Sequence, residues 1–185
     1  SLSKLISMKY PNPYTTEPIP ESIIKDVSHK YNIIKQTSGY QDIIDNLVRT
    51  RKQSIKQKTV DVCSQIEQSG YHCQVDWFLR LSGRRLKELY RKLEDLWNYR
   101  ANLSMEMKRR ICPPDGRCFA KPVSDVMNYT CVEDIQDLIL TDIMKFTGAL
   151  EDGDQKLGYM YFIICLGDVS QSCYMAHHEW LSFIH

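Results

Sequence analysis

Along most of this chain apolar residues recur every three to four positions, the period of helices buried on one side. The clearest stripe is Leu86, Leu89, Tyr90, Leu93, Leu96 and Trp97, with Arg84, Lys87, Glu88, Arg91, Lys92 and Asp95 on the opposite face. Ser82 precedes the run as its expected N-cap, beside Gly83. Ser104 caps a second predicted helix, Met105 to Ile111, whose last turn carries Lys108, Arg109 and Arg110. Cys112-Pro113-Pro114-Asp115-Gly116 stops it, since proline cannot donate to a helix and Asp-Gly favours a turn.

Upstream, Glu21 to Tyr31 reads as a short helix with Ile23, Ile24, Val27 and Tyr31 on one side. Thr37-Ser38-Gly39 breaks the chain. Tyr40, Ile43, Ile44, Leu47 and Val48 then form a stripe that Ile55, Thr59, Val62, Cys63 and Ile66 continue, up to Ser69-Gly70. Between the two sets lie Arg49, Arg51, Lys52, Lys56 and Lys58. This middle is either a solvated part of one long helix or a basic turn between two. Tyr71 to Gln74 reads as extended, and Asp76 as the N-cap of a short helix bearing Trp77, Phe78 and Leu81. Downstream, Ala120 to Asn128 is weakly patterned. Thr130 and Glu133 have the spacing of a capping box, ahead of a helix with Ile135, Leu138, Ile139, Ile143 and Phe146 that ends at Gly148. Residues 170–185 are predicted as a terminal helix carrying Tyr174, Trp180, Leu181 and Ile184.

Two stretches carry no such period. Residues 1–20 hold Pro11, Pro13, Pro18 and Pro20, which predicts an extended Pro-rich arm. Residues 159–166, Tyr-Met-Tyr-Phe-Ile-Ile-Cys-Leu, are the most apolar run, and Gly158 and Gly167 bound it. It is too short to span a bilayer as a helix, and it fits a buried helix or a short buried strand equally well. The predicted fold is therefore mainly α. It is a compact multi-helix bundle over residues 21–185, a single helical domain with a sub-boundary near 112–124, preceded by the arm.

Composition rules out a chain disordered throughout: 43% of residues are hydrophobic and 25% charged, as in ordinary globular proteins. Charge adds more. Residues 1–124 carry 22 Lys and Arg against 13 Asp and Glu, whereas residues 125–185 carry 2 against 10. Either the halves neutralise each other within one fold or a basic surface meets an anionic partner. The candidate residues for such a surface are Arg49, Arg51, Lys52, Lys56, Arg84, Arg85, Lys108, Arg109 and Arg110. Arg84 and Arg85 stand out because they occupy the first turn of a helix, where its dipole disfavours cations. The stretch from Arg49 to Arg110 could hold phosphates, of nucleic acid or of an anionic membrane surface. Its basic run lacks interleaved aromatics, so binding would be blind to base sequence. A second candidate surface draws on Tyr10 and Tyr14 in the arm and on Trp97, Tyr99 and Arg100, because Trp, Tyr and Arg are the usual anchors of protein interfaces.

Catalytic and metal chemistry find little support. Cys173, His177 and His178 do not have a zinc spacing, and Glu151 to Asp154 lacks the ligand ladder of a calcium loop. No Gly-rich phosphate loop and no hydrolase or metalloprotease motif occurs. No enzyme, cofactor, metal or small-molecule substrate is expected. The absence of a secretory signal and of any Cys-x-x-C pair among seven cysteines points to a reducing compartment.

The segment 89–119, LYRKLEDLWNYRANLSMEMKRRICPPDGRCF, resembles a motif in proteins of the nucleocytoplasmic large DNA viruses. The likeness rests on Glu94, Asp95, Trp97, Asn98, Tyr99 and Arg100, then Leu103 and Ser104, then Lys108 to Ile111. The Pro113-Pro114-x-Gly116 turn before Phe119 completes it. It covers about a sixth of the chain, and no chemistry is attached to the motif. The resemblance implies a virion protein made in the host cytoplasm, a minor capsid component that cements capsid subunits. Its partners would be other capsid proteins or copies of itself, beside an anionic internal membrane. It also implies that disulfides can form despite a cytosolic origin, because such viruses often encode thiol oxidases.

Overall fold

The computed structural model describes residues 20–36 and 38–183, with the backbone alone for Tyr31, 34–36 and 38–42. The arm's Tyr10 and Tyr14 lie outside the described residues. The protein is mainly helical, and no strand occurs among the described residues. It divides into two compact units, Ser1–Thr50 and Arg51–His185. The division falls at Thr50 rather than near 112–124, where Cys112, Cys118 and Phe119 are buried in the core of the second unit.

The first unit contains α1 (Glu21–Gln36) and the start of α2 (Ser38–Gln68). α1 runs five residues past Tyr31. The basic middle of α2 stays helical, so α2 is one long helix. In the second unit, α2 buries Ile55, Thr59, Val62, Cys63 and Ile66, the stripe expected from its period. After the extended residues 71–74 come α3 (Val75–Leu79) and α4 (Gly83–Asp95). Asp76 does not cap α3. The helix begins one residue earlier, after Gln74, and Asp76 instead pairs with Arg80 one turn on, at 2.6 Å. Ser82 does cap α4, accepting from the Arg85 N–H at 3.4 Å. Four of the six stripe residues, Leu86, Leu89, Tyr90 and Leu93, are buried in α4 itself.

α5 (Met105–Ile111) starts on Ser104, which accepts from the Met107 N–H at 3.1 Å. The weakly patterned stretch after the Pro-Pro turn contains a short α6 (Val123–Met127). α7 (Val132–Met144) begins after Cys131, not on a Thr130 capping box. The Cys131 thiol reaches Glu133 instead, at 3.1 Å. α7 closes in a 3-10 turn, Lys145–Gly148, that buries Phe146.

The run 159–166 belongs to α8 (Asp152–Val169), so the strand alternative is corrected. No neighbouring strand is present among the described residues to satisfy its backbone, whereas a helix satisfies its own. α8 packs against α4, α5, α7, the 3-10 turn and α9 (Gln171–Leu181). Neighbours on so many sides explain why its run 159–166 is apolar all round and shows no helical stripe. Tyr159, Phe162, Ile163, Cys165, Leu166 and Val169 on α8 are all buried. The helix around which the second unit closes is therefore α8, with α4 as its largest partner after the adjoining α9.

Two α8 glycines permit that approach. A Cβ on Gly158 would lie 2.8 Å from the Phe146 ring and 3.0 Å from Ile111. A Cβ on Gly167 would lie 2.8 Å from Leu181. Both sit inside the helix instead of ending it.

Candidate interaction surfaces

Continuous with the end of α4, the chain widens into a single π turn, Leu96–Arg100. Such turns add a residue to the helical repeat and re-aim the side chains that follow. Here the widened turn separates three residues that the sequence groups together. Trp97 points into the core with 2% of its surface exposed. Its Nε1–H donates to the Gly116 carbonyl at 3.3 Å, and its ring lies 5.7 Å from that of Phe146. Trp97 is thus a core residue and not a surface anchor, because both its ring and its polar atom are satisfied within the chain. Tyr99 is 68% exposed, and Arg100 is exposed beside it. Arg100, Leu96, Tyr161, Ile164 and Cys165 line part of a half-open cavity of about 240 Å³. The Lys92–Asp168 ion pair, at 2.7 Å, lies on its wall.

The candidate basic residues are largely engaged inside the second unit. Arg51 pairs with Asp134, Lys52 with Glu133 at 4.0 Å, and the neighbouring Lys58 with Asp137 at 2.6 Å. These contacts fasten the basic part of α2 to acidic α7. The bond to Asp134 raises the Arg51 pKa. The Cys131 thiol and Glu133's own N–H, followed by Lys52 and Arg51, lower that of Glu133. Arg110 bonds Asp154 at 2.8 Å and Glu151 at 3.0 Å, in the first turn and N-cap of α8. Lys108 lies 5.9 Å from the centroid of the Trp97 ring.

The unfavourable placement of Arg84 and Arg85 is resolved in part by Arg85. Its Nη1 donates to the Val169 carbonyl, the last residue of α8, at 3.1 Å. A cation at the start of one helix thereby satisfies the carbonyl end of another. Lys87 does the same for α6, donating to the Met127 carbonyl at 2.8 Å. Arg49, Lys56, Arg84 and Arg109 are exposed and form no ion pair among the described residues. They lie on three different helices.

The surface that sequence reasoning missed is apolar. In the first unit, Ile23 on α1 is 46% exposed, and Ile43, Leu47 and Val48 on α2 are 59%, 61% and 47% exposed. Their period was legible as a stripe. Nothing in the period distinguishes a stripe covered by the protein's own core from one left open.

Metal chemistry gains nothing from the geometry. Cys173 is buried on α9, and both ring nitrogens of His177 are already used. Nε2 bonds the His72 carbonyl at 2.8 Å, and Nδ1 accepts from Trp180 Nε1 at 3.3 Å. Among the described residues no three His, Cys, Asp or Glu side chains are placed to hold a metal ion. No helix among them is long and apolar enough to cross a membrane. Comparison with protein-family models, curated proteins and solved structures gives no match to the chain.

Proposed function

We propose that this chain is a structural interaction protein that works through protein–protein contacts and not by catalysis. The observation that carries this reading is the exposed apolar row Ile43, Leu47 and Val48 on α2, with Ile23 on α1. Large apolar side chains left in water on adjacent turns of one helix are costly unless a partner covers them. Exposed Tyr99 and Arg100 supply residue types that anchor such contacts. In the specific form suggested by the viral resemblance, the chain is a minor capsid component and the partners are capsid proteins or further copies of the chain.

The alternative, sequence-nonspecific binding of nucleic acid, draws on Arg49, Lys56, Arg84 and Arg109. It is weaker because Arg51, Lys52, Arg85 and Arg110 already serve contacts within the chain. Full-length chain and a Leu47→Asp variant, checked for equal thermal stability, are compared in particles of a virus encoding the chain. The expected result is wild type at a fixed ratio to the major capsid protein and loss of the variant. Wild type abundant in infected cells but missing from particles overturns the capsid form. Tight DNA binding whose logarithm falls steeply with that of salt concentration, about 0.9 per phosphate contacted, would favour the alternative.

A further inference from the structure

Two buried sulfur atoms meet where α2 ends. Cys63 lies in the last turns of α2, and Cys73 in the extended segment beyond it. Gly70, at φ +91°, turns the chain between them. Its N–H bonds the Glu67 carbonyl at 2.9 Å, and that of Tyr71 bonds the Ile66 carbonyl at 3.2 Å. This is the pattern by which a left-handed glycine closes a helix. The segment that follows is fixed residue by residue. The Tyr71 ring lies 5.9 Å from that of Trp180, and the His72 carbonyl is bonded by His177. Cys73 Sγ then lies 2.8 Å from Cys63 Sγ. Each of these cysteines is only 6% exposed.

Both are free thiols here, and their separation lies between the bond of a disulfide, about 2.05 Å, and ordinary contact between unbonded sulfurs, so a small approach would join them. We propose that Cys63 and Cys73 are joined by a disulfide formed while the chain folds in the presence of an oxidant that itself carries a disulfide. One cysteine thiolate attacks the oxidant's disulfide, expelling one reduced thiol and leaving a mixed disulfide. The second cysteine thiolate attacks that intermediate and expels the other thiol. The protein gives up two electrons and two protons, and the oxidant's disulfide becomes two thiols.

The environment places this step before the core closes. Contact with Cys63, followed by burial, pushes the Cys73 thiol far up. The folded Cys73 thiol is therefore held protonated, and attack requires thiolate. Once the bond forms, the same burial shields it from reduction. The bond is a staple between the end of α2 and the segment clamped by α9, and not a switch. Cys173 on α9 is the competing thiol, buried and close enough to raise the Cys73 pKa further.

The full chain is refolded in a mixture of reduced and oxidised glutathione, denatured in acid and capped with N-ethylmaleimide. It is then digested without reduction by a protease that cuts after Glu67, which lies between the two cysteines. Mass spectrometry is expected to find Cys63 and Cys73 in one linked pair of peptides, two hydrogens lighter than the free thiols. The same link is expected in Cys173→Ser, whose competing thiol is gone. Recovery of both Cys63 and Cys73 capped by maleimide overturns the proposal, as does linkage of either one to Cys173.

Discussion

Tyr159 shows most simply how a single atom sets a cost in this protein. Its side chain is fully buried in α8, and its hydroxyl is the one buried side-chain polar atom without a hydrogen-bond partner among the described residues. A buried polar group without a partner costs on the order of 1–3 kcal/mol. Tyr159→Phe removes the hydroxyl and keeps the ring against Phe146, 5.9 Å away. The variant is therefore expected to gain about 1 kcal/mol in urea unfolding, and a loss of similar size would reveal a partner for the hydroxyl. Trp97 presents the opposite case. Its ring fills space beside Phe146 and its N–H is satisfied by Gly116. Trp97→Ala is expected to cost about 3–5 kcal/mol. Unchanged stability would mean that the indole does not sit in the core.

At the scale of elements, α8 is held by contact closeness that only glycine allows. Alanine at position 158 would favour the helix by about 1 kcal/mol on propensity alone. Its Cβ, however, would meet Phe146 at 2.8 Å and Ile111 at 3.0 Å. Both neighbours are fully buried and cannot swing aside, and overpacking of this kind costs about 1–3 kcal/mol. Gly158→Ala is therefore expected to destabilise by up to about 2 kcal/mol, the difference of the two effects. An urea midpoint at or above wild type would show that α8 can shift away. The same helix explains where the sequence was legible. The α4 stripe was readable because one face is buried and the other is charged. α8 gave no period because neighbours cover it on many sides, and Gly158 and Gly167 looked like its ends because composition does not distinguish a glycine that breaks a helix from one that admits a neighbour. The opposite fates of Trp97 and Tyr99 follow the same period, since Trp97 continues the α4 stripe into the core and Tyr99 lies off it and is exposed; their pairing as joint surface anchors overlooked that difference. Arg85 looked misplaced at its own helix's start because its partner, the end of α8, is 84 residues away in the chain.

For the molecule as a whole, the two oppositely charged halves of the sequence meet within the second unit, where Arg51, Lys58 and Arg110 hold acidic groups of α7 and α8. These pairs are partly exposed to solvent and screened by it, so each contributes little. Acidic and salt-induced losses should be gradual, while the alkaline limb should be steep. Burial pushes the Cys165 and Cys173 thiols up to about 12 from an ordinary value of 9.0, and the Tyr159 hydroxyl up to about 12 from 10.0. All three are neutral acids, so the unfolded chain loses their protons first. Their contribution is complete below pH 9 and falls as the pH rises toward 12, by as much as about 1.4 kcal/mol per pH unit for each group that has ionised only in the unfolded chain. With a phosphine reductant present, the urea midpoint is expected to hold from pH 7 to about 8.5 and to fall steeply by pH 10.5. Cys165→Ala should be less stable than wild type at pH 7, having lost a buried side chain, yet lose stability less steeply above pH 9. A midpoint that stays level to pH 10.5, or a variant whose alkaline slope matches wild type, would place these thiols in contact with water and not in the core around α8.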